Sequence, residues 1–91
     1  MFAVFLAEGF EEIDALSSVD YLRRAGVDVV LVAVTSLNPS DPRLVKSSHR
    51  VTVLADITLE DFLSTLNGNL PDGIFFPGGL PGATNLAASS E

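Results

Sequence analysis

The apolar run Gly73-Ile74-Phe75-Phe76-Pro77 leads straight into two adjacent glycines, Gly78 and Gly79. A buried strand that ends in a glycine pair brings backbone N–H groups to a place where no side chain blocks approach. That arrangement suits a bound anion or a developing oxyanion, so both glycines are candidates for catalytic backbone donors. The usual nucleophile is missing, because the 91 residues hold no cysteine and one histidine, His49. The chain reads as the floor of an active site whose attacking group lies elsewhere.

A second constellation is acidic. The segment Ala7-Glu8-Gly9-Phe10-Glu11-Glu12-Ile13-Asp14 sets four carboxylates where a first strand passes into a first helix. In an open α/β sheet this turn lies at the carboxyl ends of the strands, where ligands usually bind. Nucleotide-binding folds keep glycines and a bare helix N-terminus here to receive phosphate. Four carboxylates would repel it. A G-x-G-x-x-G register ending at Gly82 would need glycine where Pro77 stands, and no P-loop lysine is present. No cofactor is therefore expected.

Glu11 and Glu12 have a simple structural role open to them, since acidic residues complement the dipole of a first helical turn. Asp14, next to Ile13, is expected to point toward the sheet edge. Partly apolar surroundings there would favour its protonated form and let it relay a proton. His49 sits in the turn Ser47-Ser48-His49-Arg50, where plain solvation competes with a role in the site. No second ligand lies at a useful spacing from it, so no metal is expected.

These groups need a scaffold. Residues 2–7 and 27–34 are nearly continuous in Val, Phe, Leu and Ala, the composition of parallel strands covered on both faces; residues 73–76 are a third run of that kind. Between the first two, Ile13, Leu16, Val19 and Leu22 recur at helical spacing over residues 11–25. Arg23 and Arg24 stand in the last turn and Gly26 follows as the stop. This is a βαβ unit, whose crossover is expected to be right-handed. Residues 44–46 and 51–54 are short enough to pair as a hairpin. Thr58 then caps a short helix with Asp61 three positions on and Leu59, Phe62, Leu63 and Leu66 as its apolar face; Asn67-Gly68-Asn69 ends it. Residues 83–91 start a last helix that has neither glycine cap nor proline stop, as expected of a truncated or cleaved chain. The pattern β-α-β-(ββ)-α-β-α is doubly wound α/β, cut short.

Composition agrees. A single domain of 91 residues with 47% hydrophobic residues and a mean hydropathy of +0.39 has more apolar surface than so small a body can bury, which implies a partner or a missing remainder of the fold. The net charge of −7 and five scattered basic residues leave no stripe for a phosphate backbone, so nucleic acid is not an expected partner. No apolar run approaches a membrane span, and zero cysteines exclude a disulfide scaffold. A cytoplasmic protein is the default expectation.

The segments 7–15, Val19-Asp20-Tyr21-Leu22-Arg23-Arg24-Ala25-Gly26, Ser48-His49, Ala55-Asp56 and Phe76-Pro77-Gly78-Gly79-Leu80-Pro81-Gly82-Ala83 together resemble the amino-terminal half of the ThiJ/PfpI family. The resemblance runs through essentially the whole chain, nearest the YajL-like and parkinsonism-associated deglycase branch. It implies a flavodoxin-like, Rossmann-like three-layer sandwich with a parallel sheet, of which residues 1–91 are the amino-terminal half of a single domain. The complete domain is then roughly twice this length. It implies a homodimer and a reactive cysteine on a strand-to-helix elbow in the carboxy-terminal remainder. The activities it implies are cofactor-independent glyoxalase or deglycase chemistry on a small aldehyde, chaperone-like holding, or oxidative-stress sensing. By position, Asp14 matches the family's glutamate beside the cysteine sulfur and is one methylene shorter. Glu11 matches an acidic pocket residue. Gly78 and Gly79 match the pair whose N–H groups face the substrate oxygen. Arg24 matches an arginine reaching the partner subunit's site, and His49 stands where relatives carry His or Arg.

Overall fold

In β1 (Phe2–Leu6) and β2 (Val29–Ala33), alternate residues turn to opposite faces, and both faces are covered. Val4, Leu6, Val29, Leu31 and Ala33 pack on one side with Phe10, Ala15, Val19, Val45 and Ala55. Ala3 and Val32 pack on the other with Phe62, joined by Phe5, Val30, Ile57, Leu59 and Leu66. Period-two alternation with apolar residues in both phases is the physical reason these strands read as continuous hydrophobic runs. The computed structural model of the chain describes residues 1–78.

The elements follow in the order β1, α1 (Glu12–Arg24), β2, β3 (Leu44–Lys46), β4 (Thr52–Leu54), β5 (Ile57–Thr58), α2 (Leu59–Leu66) and β6 (Gly73–Phe75). β1, β2, β5 and β6 form one parallel sheet in the order β5-β2-β1-β6. Helix α1 and the antiparallel hairpin β3–β4 cover one face, and α2 covers the other. This is the doubly wound α/β arrangement, flavodoxin-like and incomplete. From β1 the chain moves outward to β2 and β5, then returns to the far side of β1 as β6. The order therefore reverses between β1 and β6, and that crevice is the topological switch point.

Local chemistry accounts for the ends of the helices. Thr58 Oγ1 accepts the Asp61 N–H at 3.2 Å, as its capping role required. Asn67, at φ 48°, and Gly68, at φ 87°, turn the chain out of α2 through the left-handed region. In α1 the buried positions are Ala15 and Val19, with Leu22 partly covered. Ile13 is 70% exposed and Leu16 is also exposed, so the face expected from their spacing is displaced by part of a turn toward the small Ala15. A small residue lets the helix backbone approach the sheet closely, which leaves Ile13 and Leu16 on the flank.

Two further expectations are corrected. Residues 57–58 form a sheet strand too short to show periodicity; Val32 and Ala33 register with Ile57 and Thr58. β6 is not covered on both sides. Ile74, Phe75 and Phe76 are exposed, because β6 is an edge of the sheet among the described residues. Phe76 does meet Phe5 edge-on at 5.4 Å, and Phe5 meets Phe62 in the same way at 5.8 Å. The helix expected from residue 83 lies outside the described residues.

Candidate functional site

The turn after β1 is held open toward the switch point by the hairpin beneath it. Gly9, at φ 87°, donates its N–H to the Lys46 carbonyl at 2.8 Å, and Ser48 N–H reaches the Phe10 carbonyl at the same distance. The Phe10 side chain is fully buried and anchors this contact, an apolar burial of about 1.5–3 kcal/mol. Glu8 completes the clasp, its Oε1 accepting N–H groups of Leu37 and Lys46 at 3.3 and 3.2 Å.

Glu11 is the N-cap of α1, and its carboxylate accepts the Ile13 N–H at 2.7 Å. Its dipole-complementing role is thus realised in the structure, at the mouth of the same crevice. Asp14 lies one step further along the helix. A Cβ placed on Gly78 would stand 3.8 Å from Asp14 Oδ2, so the end of β6 and the first turn of α1 close on each other across the switch point. The apolar surroundings expected for Asp14 are absent among the described residues; its side chain is exposed. Gly79 lies outside the described residues.

His49 comes to the site through a residue that spacing could not single out. Its Nδ1 lies 2.6 Å from Glu12 Oε1, while the Ser48 hydroxyl donates to Glu12 Oε2 at 3.4 Å. The Glu12 side chain is only 14% exposed, against 73% for His49. Burial works to raise the Glu12 pKa. Hydrogen bonds from the Ser47 hydroxyl, its own backbone N–H and His49, with the His49 charge, outweigh burial and hold the carboxyl below its ordinary value. A carboxylate in a first helical turn looks like dipole decoration in sequence. Its partner is 37 residues away, so no local spacing carries the signal.

The donor atoms of Glu11, Glu12 and His49 lie within 4.8 Å of one another. They serve one another and the helix end: Glu11 caps Ile13, and Glu12 takes the imidazole. Arg24 is elsewhere. It sits ten residues beyond Asp14, about 15 Å along the helix axis, and holds Asp20 through Nε at 2.9 and 3.0 Å. Within one chain it does not line this crevice.

A doubly wound sheet with acidic groups and a glycine turn at its switch point defines the class of protein. Comparison with known proteins supplies the family. Residues 2–91 match the model of the DJ-1/PfpI family, and the chain belongs to that family. It is 37% identical over 86 residues to the Parkinson disease protein 7 homolog of Danio rerio, covering 94% of this chain and 41% of that protein. It is also 37% identical over 87 residues to protein dj-1beta of Drosophila melanogaster, with 96% and 42% covered. Among solved structures, a cysteine-to-alanine mutant of a DJ-1 superfamily protein from Salmonella typhimurium superposes with a TM-score of 0.78 at 40% identity, covering 96% of this chain and 42% of that one. Oxidised Toxoplasma gondii DJ-1 gives 0.77 at 35% identity, with 98% and 44% covered. The chain thus spans about two fifths of the length of these relatives. Among the described residues, no helix is long and apolar enough to cross a membrane.

Proposed function

We propose that residues 1–91 are the amino-terminal half of a single cysteine-dependent domain acting on small 2-oxoaldehydes or their adducts. In this reading the carboxy-terminal half of the domain supplies a low-pKa thiolate that attacks the aldehyde carbon. The backbone N–H groups at Gly78 and Gly79 receive the oxyanion of the resulting hemithioacetal, and Asp14 manages the proton exchanged with the thiol. Glu11 and His49 line the pocket. Arg24 acts across a homodimer, on the partner subunit's pocket, and the assembly works in the cytoplasm without cofactor. The observation that carries the reading is the approach of Gly78 to the Asp14 carboxylate at the switch point of a DJ-1/PfpI chain.

The test is methylglyoxal turnover by this chain reunited with its carboxy-terminal half, against this chain alone. Turnover is expected only from the reunited protein, since no cysteine is present here. Equal turnover by this chain alone would sink the mechanism.

The oxidised state in which the Toxoplasma gondii relative was solved favours a second reading. There the pocket tunes oxidation of the cysteine, and the dimer serves as a stress sensor or chaperone-like holder. Sulfinate formation without aldehyde turnover in the reunited protein would select it.

A further inference from the structure

An ionised carboxylate only accepts hydrogen bonds. Glu12 is such an acceptor, packed under the hairpin tip with Oε1 2.6 Å from His49 Nδ1. The proton of the neutral imidazole must then sit on Nδ1, which leaves Nε2 bare on the opposite side of the ring. The ring is mostly exposed, so its Nε2 edge is open to solvent rather than packed in the core. Ser48 closes the arrangement from the other carboxylate oxygen, with its hydroxyl also 3.2 Å from Nδ1. The same logic of a carboxylate fixing tautomer and orientation makes imidazole an effective base in hydrolytic triads.

We propose that Glu12 and His49 form a carboxylate–imidazole dyad in which Glu12 is the positioning residue and His49 Nε2 the proton acceptor for a molecule bound over the first turn of α1. Glu12 and Asp14 both stand in the first turn of α1, so the dyad and the approach of Gly78 to Asp14 lie at the same end of the helix. The reaction assigned to it rests on the aldehyde reading above. Once the cysteine thiol has added to a 2-oxoaldehyde, the C1–H bond of the adduct breaks and Nε2 gains the proton. The electron pair forms the C1–C2 double bond of an enediolate, with the negative charge on the C2 oxygen. Nε2–H then returns the proton to C2, the C1 hydroxyl proton passes to the C2 oxygen, and a 2-hydroxy thioester remains. Atoms and electrons balance within the adduct, so no external oxidant is needed. Glu12 holds the transient imidazolium.

Two measurements test the dyad. The single histidine makes long-range ¹⁵N–¹H correlation spectra of the 91-residue chain unambiguous. In the neutral ring the proton is expected on Nδ1. In Glu12→Ala the Ser48 hydroxyl becomes the donor to Nδ1 and the ring proton moves to Nε2; Glu12→Gln, whose amide oxygen still accepts, keeps it on Nδ1. A wild-type ring protonated on Nε2 overturns the dyad whatever the activity. In the reunited protein, His49→Gln is expected to lower kcat for methylglyoxal by about a hundredfold, the low end of general acid–base effects. Unchanged kcat in that variant also overturns the proposal. The expected tautomers together with no aldehyde turnover in any form would uphold the dyad and refute the aldehyde reading instead.

Discussion

Arg23, in the last turn of α1, meets Asp56, just before β5, at 3.0 Å, and the same Asp56 Oδ2 accepts the Leu31 N–H at 2.9 Å. One carboxylate thus ties the crossover helix to the strand that follows it, and Arg23 reinforces the tie by donating to the Val29 carbonyl. Both side chains are about half exposed, which screens the ion pair, so the backbone hydrogen bond matters more. Asp56→Ala is expected to cost about 1–2 kcal/mol, and Asp56→Asn about half of that. Urea midpoints of the reunited protein measure both; an Asp56→Ala midpoint equal to wild type would show that the tie is ornamental.

Gly78 separates stability from activity. A methyl group there stands at ordinary contact distance from Asp14, and Gly78 is not in a positive-φ conformation. Gly78→Ala is therefore expected to change stability by less than about 0.5 kcal/mol. Its methyl occupies the crevice, so methylglyoxal turnover in the reunited protein should fall at least tenfold. Thermal unfolding and kinetics on the same sample check the two halves of this expectation.

Gly73 behaves in the opposite way. It registers with Phe2 across the β1–β6 ladder, and a Cβ at Gly73 falls inside the van der Waals envelope of the Phe2 ring. Gly73→Ala must push that ring aside, at about 1–3 kcal/mol. The double variant Gly73→Ala, Phe2→Leu should recover part of the loss, as measured by a thermodynamic cycle.

Acid should weaken the contact between the hairpin and α1. Glu12 and Asp41 both hold their protons less tightly than the ordinary values of 4.5 and 3.8, Asp41 because the Arg43 side chain and backbone N–H bond to its carboxylate. A depressed folded-state pKa contributes stability that is complete above the unfolded value and is lost as pH falls through the folded one. Stability should therefore decline below pH 4.5, and Glu12→Gln should flatten that decline. Denaturant midpoints across the acid range decide it; an unaltered slope in Glu12→Gln would remove Glu12 from the account.

The legible part of the fold was whatever burial writes locally. The runs at β1 and β2, the Thr58 cap and the Asn67-Gly68 exit from α2 carry their reasons in adjacent residues. β5 was hidden because two residues give no periodicity, and its strand character comes from pairing with Val32 and Ala33. The same division runs through the site. The acidic turn and the glycine turn announce themselves, and so does Glu11 as an acidic group complementing the helix dipole, though its capping bond to Ile13 came from the structure. Glu12 does not, since only the docking of the β3–β4 hairpin gives it an imidazole partner. Arg24 matched a family position, yet a single chain places it with Asp20.

Glu8 and Ser36 clamp both ends of the segment between β2 and β3. Glu8 holds the Leu37 and Lys46 N–H groups, and the Ser36 hydroxyl bonds to the Leu44 carbonyl. With its ends fixed, doubling the enclosed length costs only about 0.6 kcal/mol in closure entropy. The stretch around Pro39 and Ser40 is thus a natural port for an inserted epitope or fluorophore-bearing peptide, beside the hairpin.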